Sequence, residues 1–448
     1  MTAVLQGNMR TIFANYPHIR AKFLFYSMPR RATDKKLPAV RRTSLSVVPF
    51  DGLGSPSYGK VLSTARLKKR SSSLIFVAAV TFLAGCPAVP PTKIRQVPSV
   101  PATETAGTAA LTARIDAVLA SNLTNRQLSP DTQGAWQILH GILAYGRDFK
   151  LQTSQGNVVA IDYILSGGAV KGFDLRSGDR FETAADSSTN ATAAAVAENP
   201  TLTRGIRTEL DPGTKLGQGH RDQWLAYLTA CNLPIDQVFP TADGPRRLDL
   251  WLRQMEWDVP LNFEQEYSWT LMSLMPFRAT THRWKARDDN EYSIESLLRS
   301  ELNRLSPESA CGGSHRLVAI AITLNKRKAE GGSLDGVWAD AQALVDLAIE
   351  QALEYQNEDG TFSSNYFERS GWSLDLSTAI GTTGHTLEFI AVAGSDELQR
   401  NEAVVSAANS LCRLLEQTSE LDLECGALYH ALSGLKIYRQ RIAVTAST

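Results

Sequence analysis

Five of the seven histidines and one glutamate recur at the same place relative to an apolar segment. The six sites begin His140-Gly-Ile-Leu, His220-Arg-Asp-Gln, Glu266-Tyr-Ser-Trp, His315-Arg-Leu-Val, His385-Thr-Leu-Glu and His430-Ala-Leu-Ser. Their separations are 80, 46, 49, 70 and 45 residues, and the three short ones match about one helical hairpin each. Self-similarity at such a period marks a repeat architecture, whose units bury apolar surface only against their neighbours.

The segments between these sites carry helical spacing. In 292–305, Ile294, Leu297, Leu298, Leu302 and Leu305 form one stripe, with Glu295, Arg299 and Glu301 outside it. Segments 336–355 and 396–417 are similarly amphipathic, and 111–123, 158–165 and 246–255 are weaker candidates. The segments opening at His315 and His385 are apolar nearly all round, as helices covered on every side should be. Alternation of two-sided with amphipathic helices predicts an all-α fold, an (α/α)6 toroid of inner and outer helices over 108–440, with a tail at 441–448. Residues 174–216 and 357–383 read as loop insertions, and long loops in compact domains are usually functional. No strand pattern of comparable strength is visible.

Zero net charge conceals an asymmetry. Residues 1–70 hold 14 Lys/Arg against 2 Asp/Glu, so the remaining 378 residues carry 32 basic and 44 acidic groups. An acidic body excludes phosphate-driven nucleic-acid binding. The basic run Arg66-Leu-Lys-Lys-Arg70 precedes an apolar stretch, 74–82, and then Leu83-Ala-Gly-Cys86. That order is a secretion signal, and the apolar run is short for a membrane span. Leu-Ala-Gly-Cys resembles the lipobox of bacterial lipoproteins. The resemblance implies lipidation of Cys86 and a protein exported and lipid-anchored to a bacterial membrane, at its periplasmic or outer-membrane face. The signal is taken as 61–86, residues 1–60 as an over-extended gene start without ordered structure, and the proline-rich 87–107 as a tether. A near match to a phosphate loop, Gly54 to Lys60, fails because Val61 stands where Ser or Thr should bind magnesium. Export permits disulfides, and Cys412 with Cys425 is the pair closest in sequence, but buried thiols are expected for Cys231, Cys311, Cys412 and Cys425.

Gln356-Asn-Glu-Asp-Gly-Thr-Phe362 resembles the glutamine/aspartate/glycine/aromatic repeat of squalene cyclases and protein prenyltransferases, which are α/α toroids. From about 130 to 440 the sequence more closely resembles a family of planctomycete proteins. The shared landmarks are Gly219-His-Arg-Asp-Gln223, Glu266-Tyr-Ser-Trp269, Cys311-Gly-Gly-Ser-His-Arg316 and Thr383-Gly-His-Thr-Leu-Glu388. Some of those proteins carry the label of GTPase-activating proteins for ADP-ribosylation factors. That activity belongs with a zinc finger of paired Cys-x-x-Cys, which this sequence lacks.

Parallel inner helices would bring their leading residues to one mouth of a central cavity. Histidines at helix N-termini would be kept neutral by the macrodipole, as a metal ligand or general base requires. Glu266, His315, His385 and Glu388 are therefore the candidate catalytic groups, and His140, His220, Gln223, Trp269 and His430 the candidate ligand-binding ones. Trp136, Trp224 and Trp372 lie near the same rim and suit stacking on flat ligands. Cys311 and His315, at i and i+4, offer two zinc ligands, with His385 or His430 as a third. A competing reading makes each polar helix start a bond to a neighbouring loop without chemistry. The Asp-x-Asp-Asp motif of hopene-type cyclases and the Gly-x-Ser-x-Gly elbow are both absent. Two functions follow. One is capture of a small molecule or polymer end at a His/Glu-lined mouth. The other is a glycan-active lyase or hydrolase using Glu266 or Glu388 with a histidine as acid and base.

Overall fold

The computed structural model describes residues 104–181, 204–210, 219–262, 265–305 and 308–444, all within one compact unit. The segment read as an export signal, with Cys86, the residues before it, and the stretch read as a tether up to residue 103 lie outside the described residues. The fold is mostly helical, 58% helix against 12% strand, and the strands form short sheets only.

Six helices form one set: α2 (Ala135–Tyr145), α4 (Gln223–Leu228), α6 (Ser268–Leu274), α8 (Ser314–Ala329), α10 (Leu376–Ala393) and α13 (Cys425–Val444). Each packs against two others of the set, in the succession α2, α4, α6, α8, α10, α13 and back to α2. Between them in sequence come α3 (Ala160–Leu165), α5 (Leu248–Asp258), α7 (Ile294–Arg304), α9 (Val337–Glu354) and α12 (Glu402–Gln417), with α1 (Glu104–Asn125) ahead of α2. Most of these are one-sided helices, α5 being covered on nearly every side. In α1, Leu111, Ile115 and Val118 are buried at helical spacing while Ala109 and Ala110 are exposed. The first turn of α1 reaches into the stretch read as tether, and α13 runs into the predicted tail.

Helix starts are chemically marked. Ser293 Oγ accepts from the Ser296 amide while the Ser293 amide donates to Ser296 Oγ, and Asp375 accepts from the Thr378 amide. Ser395 and Asn401 cap α11 (Asp396–Gln399) and α12, which splits in two a segment whose spacing reads as one helix.

Four two-stranded antiparallel sheets are a departure from expectation. They are β1 (Lys150–Thr153) with β2 (Gly156–Val159), β3 (Phe173–Arg180) with β4 (Arg204–Leu210), β5 (Val238–Phe239) with β6 (Arg246–Arg247), and β7 (Arg283–Lys285) with β8 (Glu291–Ser293). In three of them the second strand runs directly into a helix: β2 into α3, β6 into α5 and β8 into α7. Strands of two to four residues are too short to show alternation, so the sequence hides them. The exception, β3–β4, falls in the predicted loop 174–216. Its Gly178 and Gly205 leave room for the Gln254 side chain of α5, where a Cβ would lie 2.0 and 2.3 Å from Oε1.

The tightest packing joins α10 to α13. A Cβ on Gly384 would stand 2.5 Å from Ala431 Cα, and one on Gly434 would stand 2.9 Å from the Gly384 carbonyl oxygen. Gly381 against Ala427 extends the same stripe of small residues. The motif around Gly360 fastens the adjacent loop. Gln356 donates to the Gly360 and Ala403 carbonyls, and the Phe362 amide donates to Thr383 Oγ1.

Gly384→Ala should therefore destabilise the protein by about 2 kcal/mol or more, since the obstacle is helix backbone that cannot rotate away. Gly107→Ala, in an exposed turn of α1 with nothing within 4 Å, should be neutral or stabilising by up to about 1 kcal/mol. Denaturant midpoints of the two variants should move in opposite directions or differ by that amount.

Candidate functional site

α2, α8, α10 and α13 bring His140, His315, His385 and His430 to one cavity of about 380 Å³. His385 and His430 stack with ring centroids 4.2 Å apart, and His315 lies 5.3 Å from the first and 5.2 Å from the second. His140 sits 5.4 Å from His430 on the other side. The close approach of α10 and α13 across Gly384 and Gly434 is what allows two rings on neighbouring helices to stack. The α4 contribution is Gln223 and Tyr227, one helical turn apart on the same face.

Hydrogen bonds fix the tautomers. The carbonyls of Trp136 and Gly381 can only accept, so His140 Nδ1–H and His385 Nδ1–H donate to them, at 2.6 and 2.8 Å. In both rings Nε2 then carries a lone pair. Gln223 Nε2 donates to Tyr227 Oη at 2.7 Å, and that oxygen lies 3.2 Å from His140 Nε2 and 3.3 Å from His430 Nε2. The tyrosine has one hydrogen, and the His140 lone pair requires it. His430 must therefore present Nε2–H to the tyrosine oxygen. Its Nδ1 lies 2.8 Å from Glu388 Oε2, so one further proton resides between Glu388 and His430. A continuous chain runs Glu388, His430, Tyr227, His140. By contrast, Nε2 of His315 and Nε2 of His385 are buried without a partner.

The electrostatics agree with this count. Burial holds His140 down at about 3, aided by the nearby His430, and holds His385 at about 3 and His430 at about 4. His315 lies well below the ordinary imidazole value, through burial and then His430 and His385. Burial raises Glu388 to about 7. The Glu388–His430 pair is thus pushed towards an uncharged acid and an uncharged imidazole. This revises the macrodipole argument: His140, His385 and His430 lie inside their helices, so desolvation keeps them neutral, with repulsion from His430 added at His140 and His385.

The remaining candidates lie elsewhere. His220 does not line the cavity. Its Nδ1 accepts from the Asp222 amide at 3.0 Å, and Gln223 Oε1 accepts from the His220 amide at 3.1 Å. The landmark 219–223 is thus a helix-start corner, as the competing reading has it. Buried Asp222, raised to about 7 by desolvation, accepts from Thr270 Oγ1 at 2.6 Å and Asn262 Nδ2 at 3.0 Å and joins α4 to α6. Glu266 accepts from the Ser268 hydroxyl and is not among the lining residues. Trp269 packs against His315 with tilted rings, centroids 4.8 Å apart, without lining the cavity, and Trp372 is 61% exposed. Glu388 stands behind His430 instead of facing the cavity.

Sequence reasoning passed over Tyr227, Tyr366 and Glu424, all of which line the cavity. Tyr227 is four residues after Gln223, a spacing that puts both on one helix face. Glu424 accepts from the Ala427 amide at 2.7 Å at the start of α13, a carboxylate cap that is legible once the helix is located. Burial opposes its charge, yet the Ala427 and Gly426 amides and His140 keep it below the usual range. Tyr366 has a left-handed backbone, φ 54°, and its ring lies over Gly312, where a Cβ would stand 2.4 Å from it.

Cys311, His315 and His385 are the cluster that could hold a metal ion, with one ligand atom from each lying within 4.8 Å of the others. Cys231, Cys311, Cys412 and Cys425 are all free thiols. No family model, no curated protein and no solved structure matches this chain, so the site's own geometry carries the functional argument.

Five buried histidines, His220 among them at about 4, take up protons only on unfolding as pH falls through 6.5. Raised Glu388 and Asp222 act in the opposite sense, holding protons in the fold that the unfolded chain releases above about 4.5. Five against two leaves net uptake on unfolding, so stability should fall from pH 7 to pH 5, by up to about 1.4 kcal/mol per pH unit for each net proton. Chemical denaturation at pH 7, 6 and 5 in the presence of a chelator checks this, and a flat or rising profile would contradict it.

Proposed function

We propose that the chain is an exported, lipid-tethered (α/α)6 toroid that captures the end of a small molecule or polymer in its imidazole-lined cavity. The cyclic succession of contacts among α2, α4, α6, α8, α10 and α13, with a further helix between successive members in the chain, supports the toroid. The tether follows from the lipobox-like Leu83 to Cys86. Family membership is proposed on the landmarks 311–316 and 383–388.

The observation that carries the binding reading is the pair of buried, unpartnered nitrogens, Nε2 of His315 and Nε2 of His385, beside a cavity of about 380 Å³. A buried acceptor without a donor is costly to leave unmade, so the cavity favours a ligand that supplies hydrogens or positive charge there. Trp136, Tyr366 and Thr382 give the walls a mixed apolar and hydroxyl character suited to a sugar ring. An acidic carboxylate, Glu424, stands on the same lining.

A second reading, a glycan-active enzyme, is favoured by the chain Glu388, His430, Tyr227, His140. Hydrolysis with paired carboxylates would need both acids flanking the scissile bond, whereas Glu388 acts only through His430. Elimination, as in a lyase, needs one base and one acid, and Tyr227 Oη, whose hydrogen goes to His140 Nε2 and which takes Nε2–H of His430, can lose a proton to one ring and receive one from the other. Glu266 has no part in this version.

Binding to a panel of neutral and acidic oligosaccharides, followed calorimetrically, separates the readings. His315→Ala and His385→Ala should abolish capture while lowering the melting temperature by no more than a few degrees. A drop of many degrees in each makes these histidines structural and defeats the site. Appearance of an unsaturated, ultraviolet-absorbing product, lost in Tyr227→Phe, would establish the enzyme reading over simple capture.

A further inference from the structure

We propose that Cys311, His315 and His385 bind one divalent transition-metal ion of the zinc class, leaving a fourth coordination position towards the cavity. The inference goes beyond ligand capture and stands without it; the ion would take the same two Nε2 lone pairs, so a captured ligand would meet the ion at its fourth position.

The three candidate ligand atoms lie within 4.8 Å of one another. Tetrahedral zinc with Zn–N about 2.0 Å and Zn–S about 2.3 Å needs donor separations of roughly 3.3–3.6 Å, so closure around an ion asks for a movement of about 1 Å. The donors are ready for it. His385 donates Nδ1–H to the Gly381 carbonyl at 2.8 Å, which aims an Nε2 lone pair at the cavity, and this is the outer hydrogen bond a metal-bound imidazole ordinarily makes. That Nε2 has no partner, His385 is 4% exposed, and His315 Nε2 is likewise without a partner.

The third ligand is presented by an unusual backbone. Cys311, Gly312 and Gly313 all have positive φ, at 51°, 61° and 82°. A Cβ on Gly312 would lie 2.4 Å from the Tyr366 ring, so the loop passes directly beneath that ring. Tyr366 lines the same cavity as Cys311, and its ring covers the loop in which Cys311 holds a φ that L-residues seldom adopt.

His430 is excluded although it stacks on His385, because both its nitrogens are engaged, Nδ1 with Glu388 and Nε2 with Tyr227. Cysteine and imidazole donors select zinc-like ions over magnesium or calcium, which take oxygen. Three protein ligands with an open position are the arrangement of reactive sites, since structural zinc sites close all four. On binding, the Cys311 thiol releases its proton to solvent and coordinates as thiolate.

The test uses the full-length chain, reduced, stripped with chelator and titrated with cobalt(II) alone. One ion per chain is expected, with tetrahedral visible absorption and a thiolate-to-cobalt charge-transfer band that zinc abolishes by displacement. Cys311→Ser, a near-isosteric change, should remove that band, and His385→Ala should weaken binding at least tenfold. His282→Ala, outside the cavity, should leave the titration unchanged, and magnesium should not compete. Melting curves in chelator establish that each variant is folded. If His385→Ala fails to fold, Cys311→Ser carries the test with His315→Gln as the second variant. Sub-stoichiometric uptake, an octahedral spectrum, or a charge-transfer band that survives Cys311→Ser overturns the proposal.

Discussion

The geometry of the cavity depends on how closely α10 approaches α13. With hydrogen in place of a side chain at Gly384 and Gly434, the two helices meet backbone to backbone. Two consequences follow from that one contact. The rings of His385 and His430 stack, and Glu388, a turn further along α10, reaches His430 Nδ1. Larger residues at the crossing would hold the helices apart by an ångström or more, beyond the reach of either interaction.

Desolvation then does what charge neighbours would do in an open site. Four imidazoles share one cavity, and His430 disfavours a proton on each of the other three. Keeping them neutral leaves lone pairs for use, while burial keeps Glu388 inclined to hold its proton. The cavity therefore combines acceptors with a proton reservoir one ring away, a pairing suited to both binding and acid–base work. Asp222 is raised by the same physics but is fully engaged with Thr270 and Asn262, and it serves as a buried tie between helices. A displaced pKa alone does not distinguish a working group from a structural one, whereas the presence or absence of partners does.

Much of this was legible in the residues. Spacing alone put His140, His315, His385 and His430 in one class, and the Cys311-x-x-x-His315 pair was visible as a ligand spacing. The amphipathic stripes at 292–305 and 336–355 correspond to α7 and α9. Three of the hairpins were hidden because two-to-four-residue strands carry no period, and the longer β3–β4 lay in a polar stretch that reads as a loop. The class also included His220 and Glu266, which follow the same pattern and yet bond their own helix starts. Nothing local separates them from the other four, since the difference lies in which helix faces they meet across the cavity.

Composition and period by themselves fix a helical chain with repeated polar residues ahead of apolar segments, because burial of an amphipathic stripe follows from spacing alone. Only the tertiary structure decides which nitrogen of each histidine bears the hydrogen, which lone pairs go without a donor, and that Cys311 meets His315 and His385. Those properties depend on distances between residues far apart in the chain. A few tenths of an ångström at a glycine contact sets them, and one-dimensional pattern has no access to that scale.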